Sequence, residues 1–444
     1  MQGARETMNQ ISKVFSVIVP IRWSSLLPIL ATFFAMLLLG ACEKVNRLAQ
    51  APTIYAENGS YPESEVPEHL RTVSPDILFV TDRRAVTTRE GKTNFSHERS
   101  PAMAFGRIEV NLAPGWSWSD LLQEQSANRN RMPAIVTGGA ETLVQFSPTP
   151  LPFELKNGVA RPLPSALAPY QEQKRAFQRR VSAELKRANR RDVVIFIHGF
   201  NNGFDDGVTT LANIWHSTGR IGVPIAYSWP ADNSGLFGYF TDRESGEFSI
   251  FHLKEFLRAL SSVPELERIH LIAHSRGTDV AASALRELVI AERAAGRDPR
   301  RSLKLDTLIL AAPDLDFGVV RQRLIAEQFG PAFGQIIVYM NSKDGALGLS
   351  QTLMAGLRFG RISSENLGES EREIFRRIQN VNFIEVEQVR GQSGHAYFRE
   401  NPAVLSDIAL ALRTGALPGS SERPLTRIDG KFWQLRKDYP LQVQ

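Results

Sequence analysis

Ser275 stands in a setting that would make it a nucleophile. The pentapeptide Ala273-His274-Ser275-Arg276-Gly277 has the form G-x-S-x-G, with alanine in the first glycine position. A tight turn from strand into helix needs small residues two positions either side of the serine, and Ala273 meets that need less permissively than glycine. At a helix N-terminus the hydroxyl also faces the positive end of the helix dipole, which favours developing negative charge. The competing role is a serine that merely caps the helix. A buried strand before it and a helical pattern after it favour the nucleophile. A serine hydroxyl is weak near neutral pH and needs a base. His395 is the candidate, the only histidine after Ser275, with Gly391 and Gly394 to give its backbone freedom. Its competing role is a surface loop histidine. His274, beside the serine, is expected to point away from the base and to serve in packing.

The acid that orients the base is less uniquely marked. Asp344 follows the strand before the one that precedes His395, which gives the chain order Ser, Asp, His. Asp314 and Asp316 follow an earlier strand and compete with it, although either would also cap the next helix. The order favours Asp344. Oxyanion donors are expected from the backbone N–H of Arg276 and from the turn after His198-Gly199, at Phe200. His198-Gly199 also reads as a purely structural turn. A metal held by His198, His274 and His395 is disfavoured, because no local ligand spacing such as HExxH is present. No glycine-rich phosphate loop or cofactor fingerprint appears, so no cofactor is expected.

These residues need strands that end where they begin. From Asp192 onward short apolar runs alternate with helical periodicity. Strands are predicted over 193–197, 224–229, 269–273, 305–311, 335–340 and 381–386, with helices over 205–216, 248–260, 278–293, 317–329, 347–357 and 402–412. Repeated strand–helix units mean an α/β fold, a mostly parallel doubly wound sheet with helices on both faces. In such sheets sites form beyond the C-terminal ends of strands, where Ser275, Asp344 and His395 all fall. Residues 231–247 carry Leu236, Phe237, Tyr239 and Phe240 between Gly235 and Gly238, and read either as a lid or acyl groove over the site or as aromatics packed on the sheet edge. The stretch 172–191 holds eight basic residues, with Phe177, Val181 and Leu185 recurring every fourth position. A solvated outer helix is favoured there over a surface for anionic lipid.

Upstream, the chain opens with Lys13 and Arg22 around apolar segments that run to Leu39-Gly40-Ala41-Cys42. A basic segment, an apolar stretch and small residues before a cleavage point make a secretory signal; the competing reading, a signal anchor that stays in the membrane, is disfavoured because the stretch is short for a bilayer span. Leu39 to Cys42 resemble the lipobox of bacterial lipoproteins. That resemblance implies cleavage before Cys42, lipidation of its thiol and anchorage in the cell envelope facing the periplasm. Glu43, where an inner-membrane retention signal would carry Asp, favours the outer membrane. The domain reading is then a signal peptide 1–41, a lipidated tether 42–75, a β-containing N-terminal extension 76–171 that is irregular, the α/β domain 172–413, and a tail 414–444 without a legible pattern.

Composition supports this and excludes other classes. The chain has 444 residues, 22% of them charged and 9% aromatic, which is no disordered, collagenous or coiled-coil composition. A single cysteine permits no internal disulfide and no cysteine zinc site. A net charge of +5 over this length is no nucleic-acid footprint, so no nucleic-acid partner is expected.

Several segments together resemble a known family. They are Val194-Ile195-Phe196-Ile197-His198-Gly199-Phe200-Asn201, Tyr227-Ser228-Trp229-Pro230, Ala273-His274-Ser275-Arg276-Gly277 and Ala311-Ala312-Pro313-Asp314-Leu315-Asp316. They are similar to a family of α/β-hydrolases of unknown function, DUF900, which is esterase- or lipase-like. Thr81-Asp82-Arg83 and Phe105-Gly106 resemble its N-terminal pattern. The resemblance implies an α/β-hydrolase fold with Ser275 and His395 as catalytic residues, and so a serine hydrolase acting on an ester or thioester, small or lipidic. Arg276 stands where such families often carry Met. The alternative is a non-catalytic envelope binding or scaffolding lipoprotein on the same fold.

Overall fold

The computed structural model describes residues 46–440, except 57–58, 127–131, 355, 366, 379 and 388–393. The expected signal peptide, Cys42 and Gly391 lie outside the described residues.

Apolar runs that are buried on both faces must pair on both edges, and the chain builds them into one sheet. The order is β13 (Thr426–Asp429), β14 (Phe432–Leu435), β12 (Val381–Val386), β11 (Gln335–Met340), β10 (Leu305–Ala311), β9 (Arg268–His274), β7 (Asp192–Ile197), β8 (Val223–Ser228), β1 (Asp76–Thr87), β2 (Thr93–Asn111) and β3 (Val136–Thr137), with β4 (Glu141–Gln145) also paired to β2, while β5 (Phe153–Lys156) and β6 (Val159–Pro162) pair with each other. The parallel centre consists of β7 (Asp192–Ile197), β8 (Val223–Ser228), β9 (Arg268–His274), β10 (Leu305–Ala311), β11 (Gln335–Met340) and β12 (Val381–Val386). Along β7 the side chains alternate between two cores. Val193, Ile195 and Ile197 face one, and Val194 and Phe196 face the other.

Helices cover both cores, as the doubly wound pattern predicts. On the first face lie α1 (Pro164–Arg187), α3 (Gly235–Ser261) and α4 (Gly277–Ala294), contributing Phe177, Phe256 and Leu285. On the second lie α2 (Phe204–Ser217) and α6 (Pro402–Thr414), contributing Leu211 and Ile408; α5 (Gly345–Met354), between them in sequence, adds Leu347. The chain leaves β7 toward β8 on one side, and leaves β9 toward β10 on the other. Right-handed crossovers in opposite directions put α2 and α4 on opposite faces and open a crevice between the ends of β7 and β9.

Several expectations are corrected. Residues 46–75 are not a free tether, since Leu48, Tyr55, Tyr61 and Val66 are buried. Tyr61 stacks on His216 and its hydroxyl donates to the His216 carbonyl at 3.1 Å. Pro62 and Pro67 each precede a short 3-10 turn, on either side of buried Val66. Residues 76–171 are the β-containing N-terminal portion the sequence predicts, and they join the same sheet: β1 (Asp76–Thr87) pairs parallel with β8 and antiparallel with β2 (Thr93–Asn111). The tail contributes β13 (Thr426–Asp429) and β14 (Phe432–Leu435), the latter parallel to β12. Their four-residue length hides them from a periodicity argument.

Two further segments differ from expectation. Residues 235–247 are the first half of α3 rather than a loop. Gly235 and Gly238 read as breakers, but buried Tyr239 and Asp242 hold the turn against the fold. The helix expected over 317–329 is a single α-turn followed by a π-helix, Val320–Ile325. The basic helix is solvated, with Arg175 and Arg179 paired to Glu172, Lys174 to Glu255 and Lys186 to Glu265.

Candidate active site

Ser275 sits at the step from β9 into α4 with φ +51°. Such a left-handed angle is strained for a residue with a Cβ, and strain of this kind clusters at functional sites. Neighbours hold it in place. The Ser275 N–H donates to the Ala311 carbonyl at 3.0 Å, and its own carbonyl accepts Thr278 Oγ1 at 2.6 Å and the Asp314 N–H at 3.2 Å.

The two glycines around the turn are required by close approach. A Cβ on Gly277 would lie 2.1 Å from the His198 carbonyl oxygen, and one on Gly199 would lie 2.8 Å from Ser275 Cβ. The loop after β7 is therefore pressed directly against the serine turn.

Beyond β12 stands His395, and beyond β11 Asp344. His395 Nδ1 and Asp344 Oδ2 are 2.7 Å apart. An ionised carboxylate only accepts, so Nδ1 carries the proton and Nε2 keeps its lone pair, the tautomer a general base needs. Asp344 is fully buried, and its Oδ1 accepts the Leu347 N–H at 3.0 Å. His395 bonds to Asp344 and, through its carbonyl, to His274 Nε2 at 3.3 Å. Among the described residues no hydrogen bond joins it to Ser275; such bonds tighten when substrate binds.

The competing carboxylates are otherwise engaged. Asp314 accepts Tyr239 Oη and Ser350 Oγ, both at 2.7 Å, and so ties α3 to α5. Asp316 caps the next turn by accepting the Val319 N–H at 2.9 Å. His274 does not point away from the base. Its ring lies 4.7 Å from that of His395 and stacks on Phe398 at 4.3 Å, because the start of the chain after His395 folds back over it. Arg276 turns its guanidinium to Asp279 at 2.7 Å.

The loop His198 to Asn202 faces the serine turn. The Asn201 N–H donates to Asp242 Oδ2 at 3.0 Å, and the Phe200 ring meets Tyr239 edge to face at 5.3 Å. The N–H groups of Phe200 and Arg276 donate to no other described group. Burial and then the nearby Asp314 charge raise the Tyr239 phenol, which keeps it a donor. Phe237 is 85% exposed on the first turn of α3. A cavity of about 510 Å³ lies away from these groups, under Val320, Phe329 and Phe375, and contains none of Ser275, Asp344 or His395. No cluster of His, Cys, Asp and Glu suited to a metal occurs among the described residues.

From sequence Tyr239 has a place only in a lid or acyl groove, and Ser350, Arg83 and Ser228 have no role. For Arg83 and Ser228 a signal exists in the sequence, since Thr81-Asp82-Arg83 and Tyr227-Ser228-Trp229-Pro230 belong to the family-like segments.

Residues 173–413 match the model of a family described as alpha/beta hydrolase of unknown function (DUF900). No curated protein matches the chain.

Proposed function

The chain belongs to this family of α/β-hydrolases, and from that premise we propose that it is a serine hydrolase cleaving a carboxylic ester or thioester through an acyl-enzyme. Ser275 Oγ attacks the carbonyl carbon while His395 Nε2 takes its proton. Asp344 holds the imidazole and stabilises its cation. The N–H groups of Phe200 and Arg276 receive the oxyanion. His395 then returns the proton to the leaving group, and water, activated by the same imidazole, releases the acid.

The observation that carries this reading is the left-handed Ser275 turn at the same sheet edge as a His395–Asp344 hydrogen bond of 2.7 Å. A fluorophosphonate probe is expected to label the folded protein at Ser275, and Ser275→Ala to abolish the label. A folded but unlabelled protein would instead support the binding or scaffolding role.

The envelope location rests on the sequence alone. We place the protein on a lipid anchor at Cys42, facing the periplasm from the outer membrane, because of the Leu39-Gly40-Ala41-Cys42 pattern and Glu43. Incorporation of labelled palmitate that is lost in Cys42→Ser tests it.

A further inference from the structure

An arginine outside the Ser275, His395 and Asp344 group is fully enclosed at the floor of the site. Arg83, at 2% exposure, reaches three segments of chain. Its Nε donates to Ser228 Oγ at 2.9 Å, and its Nη1 to the carbonyls of Ala231 at 2.9 Å and Ser96 at 3.2 Å. Its Nη2 donates to the Asn202 carbonyl at 2.7 Å and lies 3.3 Å from His198 Nε2. Burial lowers its pKa to about 10, with Asp232, Asp82 and Asp242 opposing that shift, so it remains a cation at neutral pH.

That geometry dictates a proton position. A guanidinium has no acceptor, so His198 Nε2 must accept. Ser228 Oγ, 3.2 Å from the same nitrogen, accepts from Arg83 and donates its own hydrogen to Nε2. The His198 proton is therefore on Nδ1, which donates to the Gly199 carbonyl at 3.0 Å. The ring itself is clamped, stacked on Trp229 at 5.3 Å, while the Trp229 indole N–H donates to the His198 carbonyl at 2.7 Å.

The Gly199 carbonyl shares a planar trans peptide with the Phe200 N–H, so the two point in opposite directions. Fixing the carbonyl toward His198 fixes the N–H away from it. We infer that Arg83, acting through His198 and the Gly199 carbonyl, is the positioning residue that aims the Phe200 N–H at the oxyanion. This rests on the serine hydrolase reading and deepens it. It also gives a shared physical purpose to Thr81-Asp82-Arg83, Tyr227-Ser228-Trp229 and His198-Gly199-Phe200.

The test uses the full chain and a p-nitrophenyl ester, with kcat expressed per site titrated by fluorophosphonate. An interaction made only in the transition state lowers kcat and leaves KM in place. Arg83→Met is expected to lose about 10²-fold in kcat per titrated site, the effect of one misplaced oxyanion donor. KM should stay within about threefold, and Arg83→Lys should recover part of the loss. Ser228→Ala should show a smaller loss of the same kind. A general loosening of the fold would lower the number of titrated sites instead of kcat per site. Unchanged kcat per site in Arg83→Met, or a loss carried by KM, overturns the inference. Should Arg83→Met not fold, unchanged kcat per site in both Arg83→Lys and Ser228→Ala overturns it equally. A wild type that is neither labelled nor active sinks the hydrolase reading itself. The imidazole 15N shifts still decide the relay in that event: His198 protonated on Nε2 would refute it.

Discussion

Asp344 and Asp314 are both buried carboxylates near the serine turn, and their partners assign them different work. Asp344 accepts from an imidazole and a backbone N–H, whereas Asp314 accepts from two hydroxyls that belong to α3 and α5. Asp344→Asn should therefore leave the protein folded and lower kcat by about 10³- to 10⁴-fold, because an amide no longer demands a proton on Nδ1. Asp314→Asn should keep kcat per titrated site within a few-fold. Tyr239→Phe leaves the same carboxylate one donor short. It should lower unfolding stability by about 1–3 kcal/mol, read by urea denaturation. Equal kinetic damage from the two aspartate variants would remove the distinction. Spacing could rank these acids only by chain order; hydroxyl partners that arrive from 75 positions earlier and 36 positions later in the chain are invisible to it.

At the scale of elements, the close approach of α4 to the loop after β7 defines the crevice. Gly277→Ala would drive a Cβ into the His198 carbonyl, backbone against backbone, with no flexible side chain to yield. The expected result is a loss of about 3 kcal/mol, the upper end for overpacking, together with loss of fluorophosphonate labelling. A variant as stable and as reactive as wild type would show that the two elements can part freely. The same helix carries a titrating ion pair near its C-terminus. Glu292 accepts Arg297 Nε at 2.6 Å, which holds its pKa at about 2. A depressed carboxyl contributes stability above its unfolded pKa and loses it as pH falls through the folded one. Wild type should therefore lose urea resistance between about pH 4.5 and pH 2, and Glu292→Gln should show a shallower loss over that window. The strand–helix alternation after Asp192 was legible because each element is long and strongly patterned. The first half of α3 was not, since two glycines imitate a loop until Tyr239 and Asp242 are seen to be buried.

For the molecule as a whole, residues 414–440 extend the sheet at one edge instead of trailing from it. Arg423 and Asp407 form a bidentate pair with both side chains wholly enclosed, at 2.8 and 2.7 Å. Tyr339 and Tyr439 donate to the same carboxylate at 2.7 and 2.8 Å. Removing one partner of such a pair strands the other charge, so Arg423→Met should cost about 3–5 kcal/mol in denaturant unfolding. Stability within 1 kcal/mol of wild type would mean that Asp407 is solvated or neutral in the variant. The segment 46–75 is bound in a comparable way at the other end of the chain. Arg220 lies between Trp118 and Trp215, 4.7 and 5.4 Å from their rings, beside Tyr61.

By itself the sequence determined the α/β class, the serine pentapeptide and which strand ends carry Ser275, Asp344 and His395. Those features are local, since periodicity, turn chemistry and a short motif each lie within a few residues. Tertiary structure alone decided which carboxylate meets His395 and that His274 turns toward the base. It also decided that the two flanks belong to the sheet, and that Arg83 lies beneath the Phe200 loop. Each of these depends on groups brought together from 50 or more positions apart by burial, and no local pattern encodes which buried polar atom will find which partner.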